Sequence, residues 1–397
     1  MSHARYVDEC RARQYERPRS RVHCRASILA PGATVPDIQV ILDYPHAFPP
    51  DTVERLLPSV AAARGALATH DAGLEAMLER RSRDFAQLVR DPDDTALIDR
   101  TADAIRIAYA RLAMRHGKLG TDFHAYHNEG HILEICDGRL TGLFATEQAN
   151  ELSLRDWCTL LLFGAGHDLR QREAPMFSAG IGANERASTE EMLRILDLTG
   201  FDRARDGDMY AALELMIAGS TFDARSVGGQ TYNAAELVQS GGALAAKLEG
   251  KLDKHRPDWR SDPALLCGHR LALVAADLDT ANVADAFGAF AETGENLCRE
   301  REMLSGRSLE AGESALPVLG FLTDGQDRFF FDLHRFNSEI GHAAFEPGKR
   351  VNAPLLKALT LGVRARIAVG GPPATGRQVI DAYHATLADV LPAADSE

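Results

Sequence analysis

His127 and His131 stand four residues apart in AYHNEGHILEI (125–135). Four residues is little more than one helical turn, so the two imidazoles share a helix face and can approach one ion or one ligand. In a chain with 14 histidines the pair alone is a weak signal, since polar residues on a solvated face account for it as well. Its partners come from further along. His167 and Asp168 close the apolar run WCTLLLFGAGHD, and Asp277 follows the apolar run of LALVAADLD. A charged group sunk into an apolar helix is unfavourable unless it is paired or coordinated. Imidazole with carboxylate suits zinc, iron or manganese, and a carboxylate has a second oxygen to offer a harder ion such as magnesium. The histidine pair, the His167–Asp168 dipeptide and Asp277 together read as a metal site.

The elements that must position these residues are helices. From residue 51 the chain is rich in Ala, Leu, Arg and Glu, with apolar residues at three- and four-residue intervals, as in TVERLLPSVAAARGAL and DDTALIDRTADAIRIAYARLAMRHG. The second of these stops at Gly117. The same texture predicts helices over NERASTEEMLRILDL, RDGDMYAALELMIAGS and PALLCGHRLALVAADLD, and two helices broken near Asn150. Long alternating β-branched runs are absent; DIQVILDY (37–44) is a single candidate strand outside the helical body. SVGGQTYNAAELVQSGG (226–242) reads as a Gly-rich loop. The expectation is an all-α chain: an irregular lead-in over 1–50, a helical region over 51–120 that is part of the body or regulatory, and a catalytic domain over 121–390.

A net charge of −13 argues against nucleic acid or an anionic membrane as partner, since both favour basic surfaces. The longest apolar stretch, Trp157–Ala165, falls far short of the roughly 20 residues that span a bilayer. The Arg-rich start contains no apolar core of a secretory signal, and the six cysteines show no paired spacing. Both point to reduced thiols in a cytoplasm.

An all-α chain carrying H…HD…D resembles the HD superfamily of metal-dependent phosphohydrolases. YHNEGH is more particular: it resembles the Y-H-N-x-x-H of class I cyclic-nucleotide phosphodiesterases, whose next apolar helix ends in HD, as LLLFGAGHD does. AADLD resembles that family's A-D-L-S block around its last metal-binding Asp, and Asp277, rather than its alternative Asp279, fits the block. MIAGSTFD is similar to the L-A-T-D segment, and NERAS to a block that supports the site in bacterial HD proteins. REREMLSG followed by DGQDRFF resembles the E-R-E block and the Q-x-x-F that follows it. The resemblance spans about residues 120–345 and departs at Gln171, where the family usually has His, and at Thr280, where it has Asn.

The resemblance implies a multi-helix bundle of the HD/phosphodiesterase type and two divalent ions: Zn, Fe or Mn at the first site, Mg or Mn at the second. His131, His167, Asp168 and Asp277 would hold the first ion, with Asp168 bridging to the second. The implied reaction is hydrolysis of a small phosphodiester, a 3′,5′-cyclic nucleotide (cAMP or cGMP) giving the 5′-monophosphate, by a metal-bridging hydroxide. His127 would be the general acid, kept protonated by Glu185 or Glu191. Tyr126, Gln326 and Phe329 would contact the substrate, Gln326 at the purine edge and Phe329 on its face. A homodimer is compatible with all of this. Two other readings fit the same ligand types: an HD phosphohydrolase acting on another phosphate ester, and an HD-type di-iron oxygenase.

Overall fold

A computed structural model of the chain describes residues 47–68, 72–171, 182–221 and 244–391. Among them every regular element is helical, so the chain is all-α as expected. The candidate strand at 37–44, the Gly-rich segment at 226–242, Asp223, Cys10 and Cys24 lie outside the described residues.

Two short helices, α1 (Thr52–Leu56) and α2 (Val60–Leu67), lead to α3 (Ala72–Ala86) and the long α4 (Pro92–His116). Asp91 caps α4, its side chain accepting from Asp94 N, and Pro92 occupies the first turn, where a missing N–H is harmless. Helix α5 (Glu129–Leu133) runs through a π turn (Glu134–Arg139) into α6 (Leu140–Phe144). Ser153 and Asp156 form a capping box at the start of α7 (Leu154–Gly166), whose side chains are almost all buried. There follow α8 (Ala183–Leu198), α9 (Gly207–Ser220), α10 (Leu248–His255), α11 (Pro263–Asp279), α12 (Phe287–Leu304) and α13 (Ala315–Gly320). Two π turns, Phe321–Gly325 and Arg328–Leu333, precede α14 (Glu339–Gly370) and α15 (Gly376–Val390).

Helix α9 is apolar on every side and sits at the centre, packed along its length on α11. The close approach is made at Gly268, where an added Cβ would lie 2.9 Å from Leu215 Cδ1 and 3.1 Å from Ala212 Cα. Helix α7 lies beside α4, α9 and α11. One continuous apolar core runs from Leu57 to Tyr383 and takes Leu74, Phe85, Leu97 and Ile105 from the helices before residue 120.

A buried ion network fastens that early region to the rest. Glu54 on α1 meets Arg111 on α4 at 3.3 Å, Arg170 at 3.2 Å and Arg194 on α8 at 2.6 Å. Glu191 on α8 meets Arg111 at 3.2 Å, Arg115 at 3.1 Å and Arg170 at 3.3 Å. Cys136, Cys158 and Cys298 are buried free thiols. None of the described helices is long and apolar enough to cross a membrane.

Candidate metal centre

The cluster gathers where α5, the end of α7 and the end of α11 meet. Glycine makes the first of these contacts close enough. A Cβ on Gly164 of α7 would lie 2.7 Å from Cys136 Sγ and 2.8 Å from Ile135 Cγ2, so α7 can lie directly against the π turn that follows α5. That crossing brings His167 Nε2, at the C-cap of α7, beside His131 on α5; their ring centroids are 5.5 Å apart.

His131 Nε2 stands 3.7 Å from Asp168 Oδ2 and 3.6 Å from Asp279 Oδ1. His167 Nε2 is 3.0 Å from the same Asp168 oxygen and 3.2 Å from the same Asp279 oxygen. Two imidazole nitrogens and two carboxylate oxygens thus converge on one small volume, and His131 Nε2 is buried with no hydrogen-bond partner. His131, His167 and Asp168 offer ligand atoms close enough together to hold a metal ion, and Asp279 Oδ1 stands against both histidines. Burial pushes the Asp168 carboxyl up, but His167 and His127 outweigh it and hold it down at about 2. At Asp279 burial is likewise outweighed, by His167 and His131, and the carboxyl stays far below its usual range.

Asp277 is not in this cluster. Its Oδ1 accepts from Asn337 N at 2.6 Å and Asn337 Nδ2 at 2.9 Å, and its Oδ2 accepts from Ser338 N at 2.8 Å and Ser338 Oγ at 2.6 Å. It therefore seats the start of α14 and is a structural carboxylate. Asp279 takes the place expected of it, because two residues along a helix is a rotation of about 200°. The two side chains leave α11 on opposite sides.

No family model, no curated protein and no solved structure matches this chain. The site must be read from its own chemistry.

His127 lies at the edge of the cluster, with Nε2 3.8 Å from Asp168 Oδ2. Its Nδ1 is 2.6 Å from Glu300 Oε1 on α12, and Glu300 Oε2 accepts from the backbone N–H groups of Tyr126 and His127 at 3.0 and 2.9 Å. His124 Nδ1 adds a fourth contact to Glu300 Oε1 at 3.2 Å. The whole turn from His124 to Asn128 is wrapped around one buried carboxylate. Burial opposes charge on His127, but Glu300, then Asp168 and Asp279, outweigh it and raise its pKa to about 9. Burial also acts against ionised Glu300, yet His127 and His124 hold its carboxyl well below the usual range.

The carboxylate behind His127 is therefore Glu300, which corrects the assignment to Glu185 or Glu191. Glu191 is engaged by the three arginines of the network above, and Glu185 is buried in the first turn of α8. Tyr126 packs its ring on His131, centroids 4.4 Å apart, and buttresses that ligand. His131 Nδ1 meets Glu134 Oε2 at 3.3 Å, one turn along the same helix, so a carboxylate backs this imidazole as in many metal sites. Arg139 ties the π turn to α11: it lies 3.4 Å from Glu134 Oε2 and donates to Asp279 O at 2.6 Å. Gln171 Nε2 donates to Asp168 Oδ1 at 2.7 Å, the oxygen turned away from both histidines.

Gln326 and Phe329 flank the join between the two π turns before α14. Gln326 is buried against Gly294 of α12, where a Cβ would lie 3.2 Å from its Nε2. The Phe329 ring stands edge-on to His334, and His334 Nε2 meets Thr280 Oγ1 at 3.2 Å, next in sequence to Asp279. Phe329 thus approaches the end of α11 through His334, whereas Gln326 packs on α12; neither touches the cluster in any contact described above.

Glu300, Glu134, Arg139 and Asp279 are the site residues that sequence reading assigned no role or ranked second. Glu134 carried a usable signal, its three-residue spacing from His131 on one helix. Glu300 lies in the REREMLSG block, but nothing in the sequence paired it with His127, 173 residues away.

Proposed function

We propose that this chain is a metal-dependent hydrolase of phosphodiesters, with a 3′,5′-cyclic nucleotide as substrate and the 5′-monophosphate as product. The observation that carries the reading is the His127 imidazole, gripped at Nδ1 by Glu300 and turned at Nε2 toward a two-histidine, two-carboxylate cluster. An ion held by His131, His167, Asp168 and Asp279 would neutralise phosphate charge and activate a water. His127 does what the ion cannot. With Nδ1–H committed to Glu300, its Nε2–H is the proton available to a departing alkoxide such as O3′. Glu300 fixes both the ring orientation and the tautomer. The purine as the part of the substrate beyond the phosphate rests on the resemblance of DGQDRFF to the Q-x-x-F block, in which Gln326 would offer an amide and Phe329 a ring face.

A second ion would have to share Asp168 through Oδ1, which Gln171 already engages. That contact favours, as the second reading, a single-ion phosphohydrolase acting on another ester, and it counts against a di-iron oxygenase. A panel of phosphate mono- and diesters, cyclic AMP and cyclic GMP included, tested with Mg²⁺, Mn²⁺ and Zn²⁺, separates these. Turnover of cyclic nucleotides is the expected result. Turnover of monoesters alone gives the second reading, and iron-dependent oxygen uptake without hydrolysis overturns both.

A further inference from the structure

We infer that His116, Asp122 and His124 form a second binding site for a divalent transition metal of the zinc class, separate from the cluster described above. His116 is the last residue of α4, and Asp122 and His124 lie in the segment that links α4 to α5. Asp122 Oδ2 stands 3.5 Å from His116 Nδ1 and 3.5 Å from His124 Nε2, and the two rings lie 4.1 Å apart between centroids. Ligand atoms about 2.0–2.1 Å from a tetrahedral zinc are separated by about 3.4 Å, close to the spacing found.

The second observation is the state of the imidazoles. His116 is 3% exposed and His124 0%, yet His116 Nδ1 and Nε2 and His124 Nε2 have no hydrogen-bond partner. Buried imidazole nitrogens whose facing carboxylate stands at 3.5 Å, at the limit of a hydrogen bond, are unusual, because each would forfeit its hydration for little return. His124 shows which of its nitrogens is meant for the ligand. Its Nδ1 faces Glu300 Oε1 and carries the proton, which leaves the lone pair on Nε2, the atom pointing at Asp122. The Asp122 side chain is 40% exposed, so a fourth ligand position faces solvent and an ion can enter. An ion here would pin the end of α4 to the turn around Glu300. This inference does not depend on the proposed hydrolysis, since it concerns binding by a different set of residues.

The test is a Zn²⁺ titration of the full-length, chelator-stripped chain carrying His131→Ala and His167→Ala, followed by metal analysis and thermal melting. One equivalent of Zn²⁺ should remain bound and should raise Tm. Adding His116→Gln or Asp122→Asn should weaken that binding by more than the roughly 10–100-fold typical of losing a supporting residue of a metal site. If the double variant does not fold, the same titration on the otherwise unaltered chain should lose one equivalent on Asp122→Asn, a substitution at a partly exposed position. Absence of bound Zn²⁺ in the double variant would mean that water fills the spot and would overturn the site. Binding that survives both added substitutions would place the ion elsewhere and overturn it equally.

Discussion

In the proposed reaction, Glu300 would let one histidine serve as an acid beside another that would serve as a ligand. His131 turns a bare Nε2 into the cluster, whereas His127 is anchored through Nδ1 and keeps a proton on the other nitrogen. His127→Ala should therefore retain bound metal but lose about 10²–10⁴ in kcat on a substrate with a poor leaving group. A nitrophenyl phosphodiester, whose leaving group barely needs a proton, should lose much less; equal losses on both substrates would remove His127 from the acid role. Glu300→Gln tests the partner. The His127 pKa is raised, so the protonated acid is lost as pH rises through it, and removing the Glu300 charge lowers that pKa. The alkaline limb of the kcat profile should then move to lower pH by about 1–3 pH units, as expected for loss of one adjacent opposite charge. The same pairing stabilises the fold: its contribution is complete below the unfolded histidine value of about 6.5 and is lost as pH rises through about 9.

Helix contacts decide which of the candidate residues meet. His127, His131, His167 and Asp168 were legible because they end or begin helices whose apolar periodicity is plain in the sequence. Asp277 and Asp279 were not separable that way. Both follow the same apolar run, and only the position of α14, fixed by Asn337 and Ser338 on Asp277, shows which side of α11 faces the cluster. The assignment to Glu191 failed for a similar reason. A buried glutamate on a helix near the site was visible, but three arginines from α4 and from the segment after α7 claim it. Gly164 makes the decisive crossing, so Gly164→Ala should push α7 away from Cys136 and Ile135. We expect a loss of about 1–3 kcal/mol in stability together with weaker metal binding, read by denaturant titration and by metal titration. Stability lost without any change in metal affinity would mean that the crossing does not position His167.

At the scale of the whole molecule, the helices before residue 120 belong to the same core and ion network as those that carry the cluster. Their amphipathic texture could be read from sequence, but their attachment could not, because it runs through pairs such as Glu54–Arg194 that are 140 residues apart. Glu191→Ala should strand buried arginine charges and cost about 3–5 kcal/mol, seen as a lower Tm, while kcat measured well below that Tm stays near the unaltered value. A specific fall in kcat at unchanged stability would return Glu191 to the support of His127.

Metal-dependent phosphodiester hydrolysis at His131, His167, Asp168 and Asp279 is the central claim. Its most direct measurement is cyclic-nucleotide turnover by the chelator-stripped, Mn²⁺-reloaded chain, compared with Asp279→Ala and Asp277→Asn prepared alike. The account predicts turnover that requires Mn²⁺, is abolished together with metal binding in Asp279→Ala, and survives in Asp277→Asn at some cost in stability. Turnover retained in Asp279→Ala, or none from a fully metal-loaded chain, would contradict it.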